Sequence, residues 1–298
     1  MLTIATLWIP FTVIGAAGQV ARNAMQRQLT KPLGTWGATT IRFLFGFPFS
    51  VLFLAVVLIA SGDRLSAPPT VFWPWLLLGA LSQIFATGLM LLAMTERSFV
   101  VTTAYLKTEA IQTAIFGFVF LGDHLTWLKV LAIVIATVGV IVTALRRGEK
   151  SLAELKPIVT GLAAAAGFAL SAVGFRGAII AVPGVSFVTA ASFTLLLCLF
   201  VQTLVLSIYL LLRAPEVLRA IFGLWKPSML AGFTGAFSSQ FWFLSFALTA
   251  AANVRTLALI EVLFAQGVAY YSFKQPVSPR ELLGITLIVI GVAVLVGS

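Results

Sequence analysis

The uncharged stretch FVTAASFTLLLCLFVQTLVLSIYLLL occupies residues 187–212 of the chain. A helix of about 20 apolar residues crosses a hydrocarbon core of roughly 30 Å, so this stretch is long enough to span a bilayer. It lacks the alternation of apolar and polar residues that a membrane strand requires. We therefore predict a transmembrane helix here.

The whole chain shares this character. Of its 298 residues, 60% are hydrophobic and 9% are charged, and the mean hydropathy is +1.09, whereas a soluble domain is about 25% charged. This composition excludes a soluble enzyme and a disordered chain. The net charge of +10 is scattered through connecting segments instead of forming a basic stripe, so we predict no nucleic-acid partner.

Apolar runs bounded by charges, prolines and turn residues divide the chain into ten predicted spans. They cover roughly residues 4–26, 34–60, 72–94, 98–121, 127–145, 157–180, 185–212, 227–248, 252–272 and 281–297. The longest connections have about a dozen residues, too few for a domain with its own core. The function is therefore expected to lie within the bilayer.

Positive charge differs between the two faces that ten spans create. Twelve Lys and Arg residues fall on one face, against Arg64 and Lys129 on the face that carries both termini. The positive-inside rule places the richer face in the cytoplasm. We predict a multi-pass protein of a bacterial-type inner membrane with both termini outside.

An internal repeat relates the two halves at a shift of 152 positions. Among the matching pairs are Trp73 with Trp225, Glu109 with Glu261, Leu131 with Leu283, and Gly139 with Gly291. Each half holds five spans, and an odd number makes the second copy enter the membrane from the opposite side. We predict an all-α fold of two inverted five-helix repeats, residues 1–146 and 157–298, with a cytoplasmic linker at residues 147–156.

The repeated segments resemble the drug/metabolite transporter superfamily and its ten-span EamA-type members, whose fourth and ninth helices carry Glu-Pro-Val-Phe and Leu-Gly-Glu-x-Leu motifs. The matching residues are Glu109, Leu121–Asp123, Val138–Val140, Glu261–Phe264, Ile290–Val292, Arg42, Phe43 and Pro48. Ala110 and Val262 replace the motif prolines, and Gln275 replaces the second motif acid. A proline kink in these helices is therefore not predicted.

The resemblance implies a transporter of small metabolites or drugs with a central cavity lined by helices 1, 3, 4, 6, 8 and 9. It does not imply a particular substrate, because one fold carries many solutes. Two fused halves supply the pseudo-dimer that shorter members of the superfamily need, so we expect a monomer.

Charged residues deep inside predicted spans are the first candidates for a site. A charge at the bilayer centre costs about 2.5 to 3.5 kcal/mol, so Lys107, Glu109, Glu261 and Arg42 are expected to face the interior. The two glutamates either meet the substrate or brace helices 4 and 9. Lys107, whose repeat position is Leu259, either binds a substrate carboxylate or pairs with a glutamate.

Uncharged polar and aromatic residues complete the predicted lining. The further substrate-binding candidates are Tyr105, Gln112, Gln83, Gln19 and Trp242, and the structural or coupling candidates besides Arg42 are Arg176 and Gln240. Buried amides also tie helices together, which is the alternative interpretation for each glutamine. Arg22 and Arg176 are expected to snorkel towards the interface, and Arg255 to lie at it.

No pattern indicates catalysis. The single histidine, His124, lies beside Asp123 with no second histidine or cysteine to complete a metal site, and Cys198 is the one cysteine. Hydrolase and phosphate-loop motifs are absent. The sequence predicts no enzyme, metal or cofactor.

We therefore predict a secondary transporter that works by alternating access and exports amino acids, aromatic ones included. A site with both signs of charge and aromatic neighbours suits a zwitterion. A transporter of organic cations is the alternative, with Lys107 held in a salt bridge, and a membrane enzyme or scaffold is a third class.

Overall fold

The computed structural model describes residues 4–96, 105–144, 155–264 and 278–297, and within these ranges it is helical and contains no strand. The helices are α1 Trp8–Leu44, α2 Phe47–Ser61, α3 Phe72–Glu96, α4 Glu109–Leu121, α5 Trp127–Ala144, α6 Leu155–Ile180, α7 Phe187–Arg213, α8 Pro215–Gly223, α9 Trp225–Leu248, α10 Ala251–Leu257 and α11 Pro279–Gly297. The predicted all-α class is confirmed.

Length and composition make several of these helices membrane spans. Five helical tracts of the described chain are long and apolar enough to cross a bilayer, namely Ile4–Ser61, Phe72–Ala93, Val159–Ile180, Phe187–Arg213 and Pro279–Gly297. Shorter apolar helices are Glu109–Leu121 and Trp127–Val142. The chain is therefore a multi-pass membrane protein, as its composition predicts.

The first two predicted spans form one helical tract with a sharp change of direction inside α1. Gly34 has φ 67° and ψ 178°, which interrupts the helix two residues after Pro32. A positive φ costs glycine little because it has no Cβ. Residues 27–33, predicted as a connection, continue the helix instead, because polar residues can extend a span beyond the bilayer.

Two other predicted spans differ at their boundaries. Predicted span 9, residues 252–272, is interrupted: α10 ends at Leu257, a 3-10 turn covers Ala258–Ile260, and helix resumes at Glu261. Residues 265–277, with the second motif position Gln275, lie outside the described residues. In predicted span 4, α4 begins only at Glu109, and residues 97–104 are likewise not described. Most of the predicted linker, residues 147–156, also falls outside.

Four helix pairs form the body of the molecule. Helix α1 packs along α9, α3 along α6, α2 against α7, and α5 along α11. Their interfaces are rich in alanine and glycine, and the buried residues of α6 include Ala164, Ala165, Ala169 and Ala172. Small side chains let helix backbones approach closely where lipid supplies no hydrophobic driving force.

One such close approach lies between α5 and α11. A Cβ on Gly139 would stand 2.7 Å from the backbone oxygen of Gly284, and a Cβ on Gly291 would stand 2.7 Å from that of Ala132. Neither Gly139 nor Gly291 therefore has room for a side chain. Gly291 follows Gly139 by 152 positions, and Gly284 follows Ala132 by the same number, so the two contacts correspond with the halves exchanged.

A second reciprocal contact relates the pair α1 and α9 to the pair α3 and α6. A Cβ on Gly15 of α1 would lie 3.5 Å from the backbone oxygen of Ser238 in α9, and a Cβ on Gly167 of α6 would lie 2.9 Å from the Cβ of Ala86 in α3. Gly167 and Ser238 follow Gly15 and Ala86 by 152 positions. The packing of α1 on α9 thus has its counterpart in the packing of α6 on α3.

Candidate functional site

A small cavity lies where α1, α3, α6, α9 and α10 meet. It is lined by Gln19, Arg22, Arg42, Gln83, Phe168, Phe175, Ser239, Trp242, Phe243, Phe246 and Arg255. Four of the residues singled out from the sequence are in this lining: Gln19, Arg42, Gln83 and Trp242. The other candidates lie beside the cavity or farther from it.

The Lys107 ammonium group pairs with the Glu261 carboxylate, and both side chains are largely buried. The amide of Gln19 lies 3.4 Å from the other oxygen of that carboxylate, Oε2. This arrangement matches the second of the two interpretations of Lys107, an ion pair with a glutamate. A substrate contact through Lys107 would require the pair to open.

Glu109 is held in the same manner by a residue of α10. Its Oε1 lies 2.8 Å from Nε of Arg255. The Arg255 guanidinium also stands 4.8 Å from the centroid of the Trp242 ring and 5.4 Å from that of Phe246, which is cation–π geometry. Glu109 and Glu261 therefore each have a cationic partner within the protein.

Two further arginines of the lining are buried without a carboxylate partner among the described residues. Arg22 is 2% exposed and Arg42 is 3% exposed. Arg22 donates from Nη2 to Asn23 Oδ1 at 2.9 Å, and Arg42 donates from Nη1 to Thr87 Oγ1 at 3.1 Å. No described residue supplies a hydrogen-bond acceptor to Nη1 of Arg22 or to Nε of Arg42.

The expectation that Arg22 and Arg255 lie near an interface was wrong. Arg22 is buried because it shares one stripe of α1 with Gln19 and Gln26, at helical spacings of three and four residues. A polar stripe on an otherwise apolar span could have indicated this inward orientation. Arg255 is 7% exposed because α10 is a short buried segment instead of the start of a regular span.

Aromatic rings form the opposite wall of the cavity. The Phe175 and Phe243 rings have centroids 4.7 Å apart, and Trp242 stacks on Phe246 at 6.3 Å. The Trp242 indole is buried, and its Nε1 has no acceptor. The cavity thus offers cationic and aromatic groups together.

The remaining predicted polar residues are joined to neighbouring groups. Gln83 accepts from Gln202 Nε2 at 2.9 Å, and Gln240 donates to Ser192 Oγ at 2.8 Å, so both amides link helices. Gln112 donates to Thr108 Oγ1 at 3.1 Å. Tyr105 is the exception, because its buried hydroxyl has no hydrogen-bond partner within the part of the chain that the structure describes.

Arg176 binds protein groups, although 17% of its side chain is exposed. Its Nη1 donates to the backbone oxygens of Phe246 at 2.9 Å and Thr249 at 2.5 Å, and its Nη2 lies 3.6 Å from Asp123 Oδ1. Arg176 connects α6, the end of α9 and the loop after α4.

A second polar cluster lies on the same face, where α2 ends and α7 begins. Oδ2 of Asp63 accepts hydrogen bonds from Ser186 Oγ at 2.7 Å, Ser186 N at 3.0 Å and Thr189 Oγ1 at 2.6 Å. These donors stabilise the ionised carboxylate and lower the pKa of Asp63 to about 2. The loop after α2 is thereby tied to the start of α7.

Metal sites in proteins combine several His, Cys, Asp or Glu side chains. Among the described residues, no three of these side chains come together as a metal site would require.

A family comparison identifies the first half of the chain. The EamA-like transporter family matches residues 6–145. This stretch is a little under half of the chain, and over it the sequence is similar to the EamA-like transporter family. The match agrees with the drug/metabolite transporter superfamily, and the matched family consists of membrane transporters of small molecules.

Solved structures show the same fold for this EamA-like protein over almost its whole length. One crystal structure, titled only as that of a protein, covers 96% of this chain and 98% of its own chain, with a TM-score of 0.64 and 16% identity. At that identity the likeness concerns the fold alone. No curated protein matches the sequence.

Proposed function

We propose that this EamA-like protein is a secondary transporter that moves small carboxylate-bearing metabolites across a bacterial-type inner membrane. Amino acids, aromatic ones included, are the proposed substrates, and export is the proposed direction. The observation that carries the proposal is the buried cavity, which combines Arg22 and Arg42 with the ring of Trp242. Few buried positions in a membrane protein hold charge without a functional reason.

The groups that line the cavity suit the two ends of an aromatic amino acid. The free space of the cavity, about 10 Å³, holds only about one water molecule, so the helices would have to move apart to admit the ligand. The carboxylate would be bound by Arg22 and Arg42, since guanidinium groups bind carboxylates through paired hydrogen bonds. The ring would pack against Trp242 and Phe243. Lys107, the sequence-predicted candidate for binding a substrate carboxylate, is paired with Glu261. In this proposal Arg22 and Arg42 bind that carboxylate instead.

We propose ten spans in two inverted repeats, residues 1–146 and 157–298, joined by the linker at residues 147–156. The reciprocal contacts of Gly139 and Gly291 support this architecture, since a two-fold relation between repeats requires each contact to have a counterpart. Two such halves could rock around a central site and expose it alternately. The protein would act as a monomer.

The face that carries both termini would form one of the two gates. Asp63 with Ser186 joins the loop after α2 to α7, and Arg176 joins α6 to the end of α9. Opening this face requires these contacts to break. The positive-inside count supports placing it outside the cell.

Organic cations are the alternative substrates. Lys107 is held in a salt bridge, as that alternative requires. However, Glu109 and Glu261 are both occupied by cations, and the residues known to line the cavity include three arginines and no carboxylate. The charges therefore favour a carboxylate-bearing solute.

Transport into proteoliposomes tests the proposal. We expect wild-type protein to exchange labelled phenylalanine, and Trp242→Ala to reduce the rate about tenfold because the ring loses its stacking surface. Trp225→Ala, at an exposed tryptophan, is the matched control and should leave the rate unchanged. Movement of a labelled organic cation with no movement of any amino acid would overturn the amino-acid assignment.

Single-cysteine labelling tests the orientation. Cys198 is buried, so it is replaced by alanine, and Ser66→Cys in the loop after α2 is probed in intact cells. Reaction with a membrane-impermeant maleimide is expected if the terminus-bearing face is outside. Protection in cells and reaction only after lysis would contradict the proposed orientation.

A further inference from the structure

The cavity and its surroundings hold more positive than negative charge. Four cations, Arg22, Arg42, Arg255 and Lys107, are buried there with two carboxylates, Glu109 and Glu261. Each carboxylate is paired with one cation, which leaves Arg22 and Arg42. Arginine does not lose its proton in proteins, so both groups remain charged.

Arg22 and Arg42 lie side by side although they come from different parts of α1. A Cβ on Gly235 of α9 would stand 3.3 Å from Cγ of Arg42 and 3.5 Å from Cδ of Arg22. The two stems therefore pack on the same glycine. A larger residue there would contact both stems, so Gly235 makes room for the pair.

Arg22 and Arg42 carry like charges in the lining of one buried cavity, so they repel each other, and each also loses hydration. Their unused donors, Nη1 of Arg22 and Nε of Arg42, are buried and have no acceptor. An anion placed between them would neutralise the charge and supply the missing acceptors. Neutral partners such as Asn23 and Thr87 supply an acceptor without neutralising charge.

We propose that Arg22 and Arg42 form an anion subsite that makes the transporter prefer organic anions with an aromatic body over neutral zwitterions of the same shape. The inference rests on the proposed transport of carboxylate-bearing metabolites and divides that class by net charge, with anions bound more tightly than zwitterionic amino acids. The anionic group is a carboxylate or a phosphate bound by the two guanidinium groups. The body of the ligand packs against Trp242, Phe243 and Phe175.

The net charge of the ligand distinguishes this inference from the amino-acid proposal. A zwitterion neutralises the pair with its carboxylate but brings its own ammonium group into a site that already has excess positive charge. An anion of the same size brings no such group. Binding should therefore strengthen as the ammonium group is removed and weaken when only the ammonium group is present.

Binding to purified full-length protein tests the charge preference with ligands that share one ring. The series is benzylmalonate, phenylpyruvate, phenylalanine and phenethylamine, which carry about two negative, one negative, zero and one positive charge at neutral pH. Affinity is measured by calorimetry in detergent at constant ionic strength. We expect the two anions to bind at least about tenfold more tightly than phenylalanine, and phenethylamine to bind most weakly.

Variants locate the subsite. Arg22→Gln and Arg42→Gln should each weaken phenylpyruvate binding about tenfold or more, because a charge-assisted pair of hydrogen bonds is lost. Arg213→Gln, at an exposed residue at the end of α7, should leave binding unchanged. Inorganic phosphate should compete with phenylpyruvate if the anionic group alone is recognised, and phenyl phosphate shows whether a phosphate replaces the carboxylate.

The outcomes separate this inference from the proposed function. Equal affinities across the wild-type series, or tighter binding of phenethylamine, would overturn the anion subsite even if neither variant folds. Unchanged phenylpyruvate affinity in a folded arginine variant would also overturn it. Anion binding without any movement of amino acids in proteoliposomes would refute amino-acid transport and leave the anion subsite standing. Amino-acid transport with no charge preference in binding would refute the anion subsite and leave amino-acid transport standing.

Discussion

The ion pair between Glu109 and Arg255 gives a sharp energetic prediction. Glu109→Gln removes the negative charge but leaves the Arg255 guanidinium buried, with Nε formerly 2.8 Å from Oε1 of Glu109. At an effective dielectric constant of about 20, unit charges centred about 4 Å apart attract with about 4 kcal/mol. Loss of one partner from a buried pair costs a similar 3 to 5 kcal/mol.

The expected effect is large in a thermal unfolding experiment. For a chain of this size, about 1 kcal/mol corresponds to roughly 2 to 4 °C, so Glu109→Gln should lower the Tm in detergent by about 10 °C. Arg255→Gln should have a comparable effect because it leaves the Glu109 carboxylate buried. Glu216→Gln, at an exposed position of α8, should change the free energy of unfolding by less than about 0.5 kcal/mol.

The double variant isolates the interaction. With both residues replaced by glutamine, neither charge of this pair is left buried without its partner, so the loss of stability should be smaller than the sum of the two single losses by about 2 kcal/mol or more. Intrinsic tryptophan fluorescence during heating gives the three Tm values. Single effects that add to within about 0.5 kcal/mol would refute the argument that the two charges stabilise each other.

Three further results are expected. Hydrogen bonds from Ser186 hold the pKa of Asp63 at about 2, below its usual 3.8, so the stability that this carboxylate contributes persists above pH 4 and is lost only as pH falls towards 2. A pH titration of Tm should therefore show the same difference between wild type and Asp63→Asn from pH 5 to pH 8. A difference that vanishes within this range would contradict this account of Asp63. Gly139→Ala places a Cβ 2.7 Å from a backbone oxygen and should destabilise the protein by about 1 to 3 kcal/mol. Gly223→Ala, where the added Cβ meets nothing within 4 Å, should leave the stability unchanged. Equal Tm values for the two variants would show that α5 and α11 separate freely. Arg176→Gln removes a donor to two backbone oxygens and should lower the free energy of unfolding by about 1 to 3 kcal/mol. A transport rate that rises while Tm falls would indicate that Arg176 holds a gate closed.

The helical membrane architecture could be predicted from local sequence properties. Apolar runs of about 20 residues determine helices in a bilayer because every backbone polar group must be satisfied within the segment. Boundaries were less predictable. The turn at Gly34 depends on one positive φ, and the end of α10 at Leu257 depends on packing around the cavity, so neither follows from hydropathy.

The candidate site was predictable in part. Gln19, Gln83, Arg42 and Trp242 stood out as polar or unusual groups inside apolar spans, and all four line the cavity. Arg22 was missed because its position late in a span resembles that of a snorkelling residue. A long side chain can reach either the interface or the interior, and only the polar stripe that Arg22 shares with Gln19 and Gln26 indicates the inward orientation.

The sequence by itself determined the membrane class, the apolar helices and the shift of 152 positions that relates the halves, because these depend on residue type and spacing along the chain. Only the tertiary structure decided which charges meet. Glu109 and Lys107 are two positions apart on one segment, yet they pair with Arg255 and Glu261, more than 140 positions away. Such pairing depends on which helix faces another across the core, and a linear pattern carries no record of that geometry.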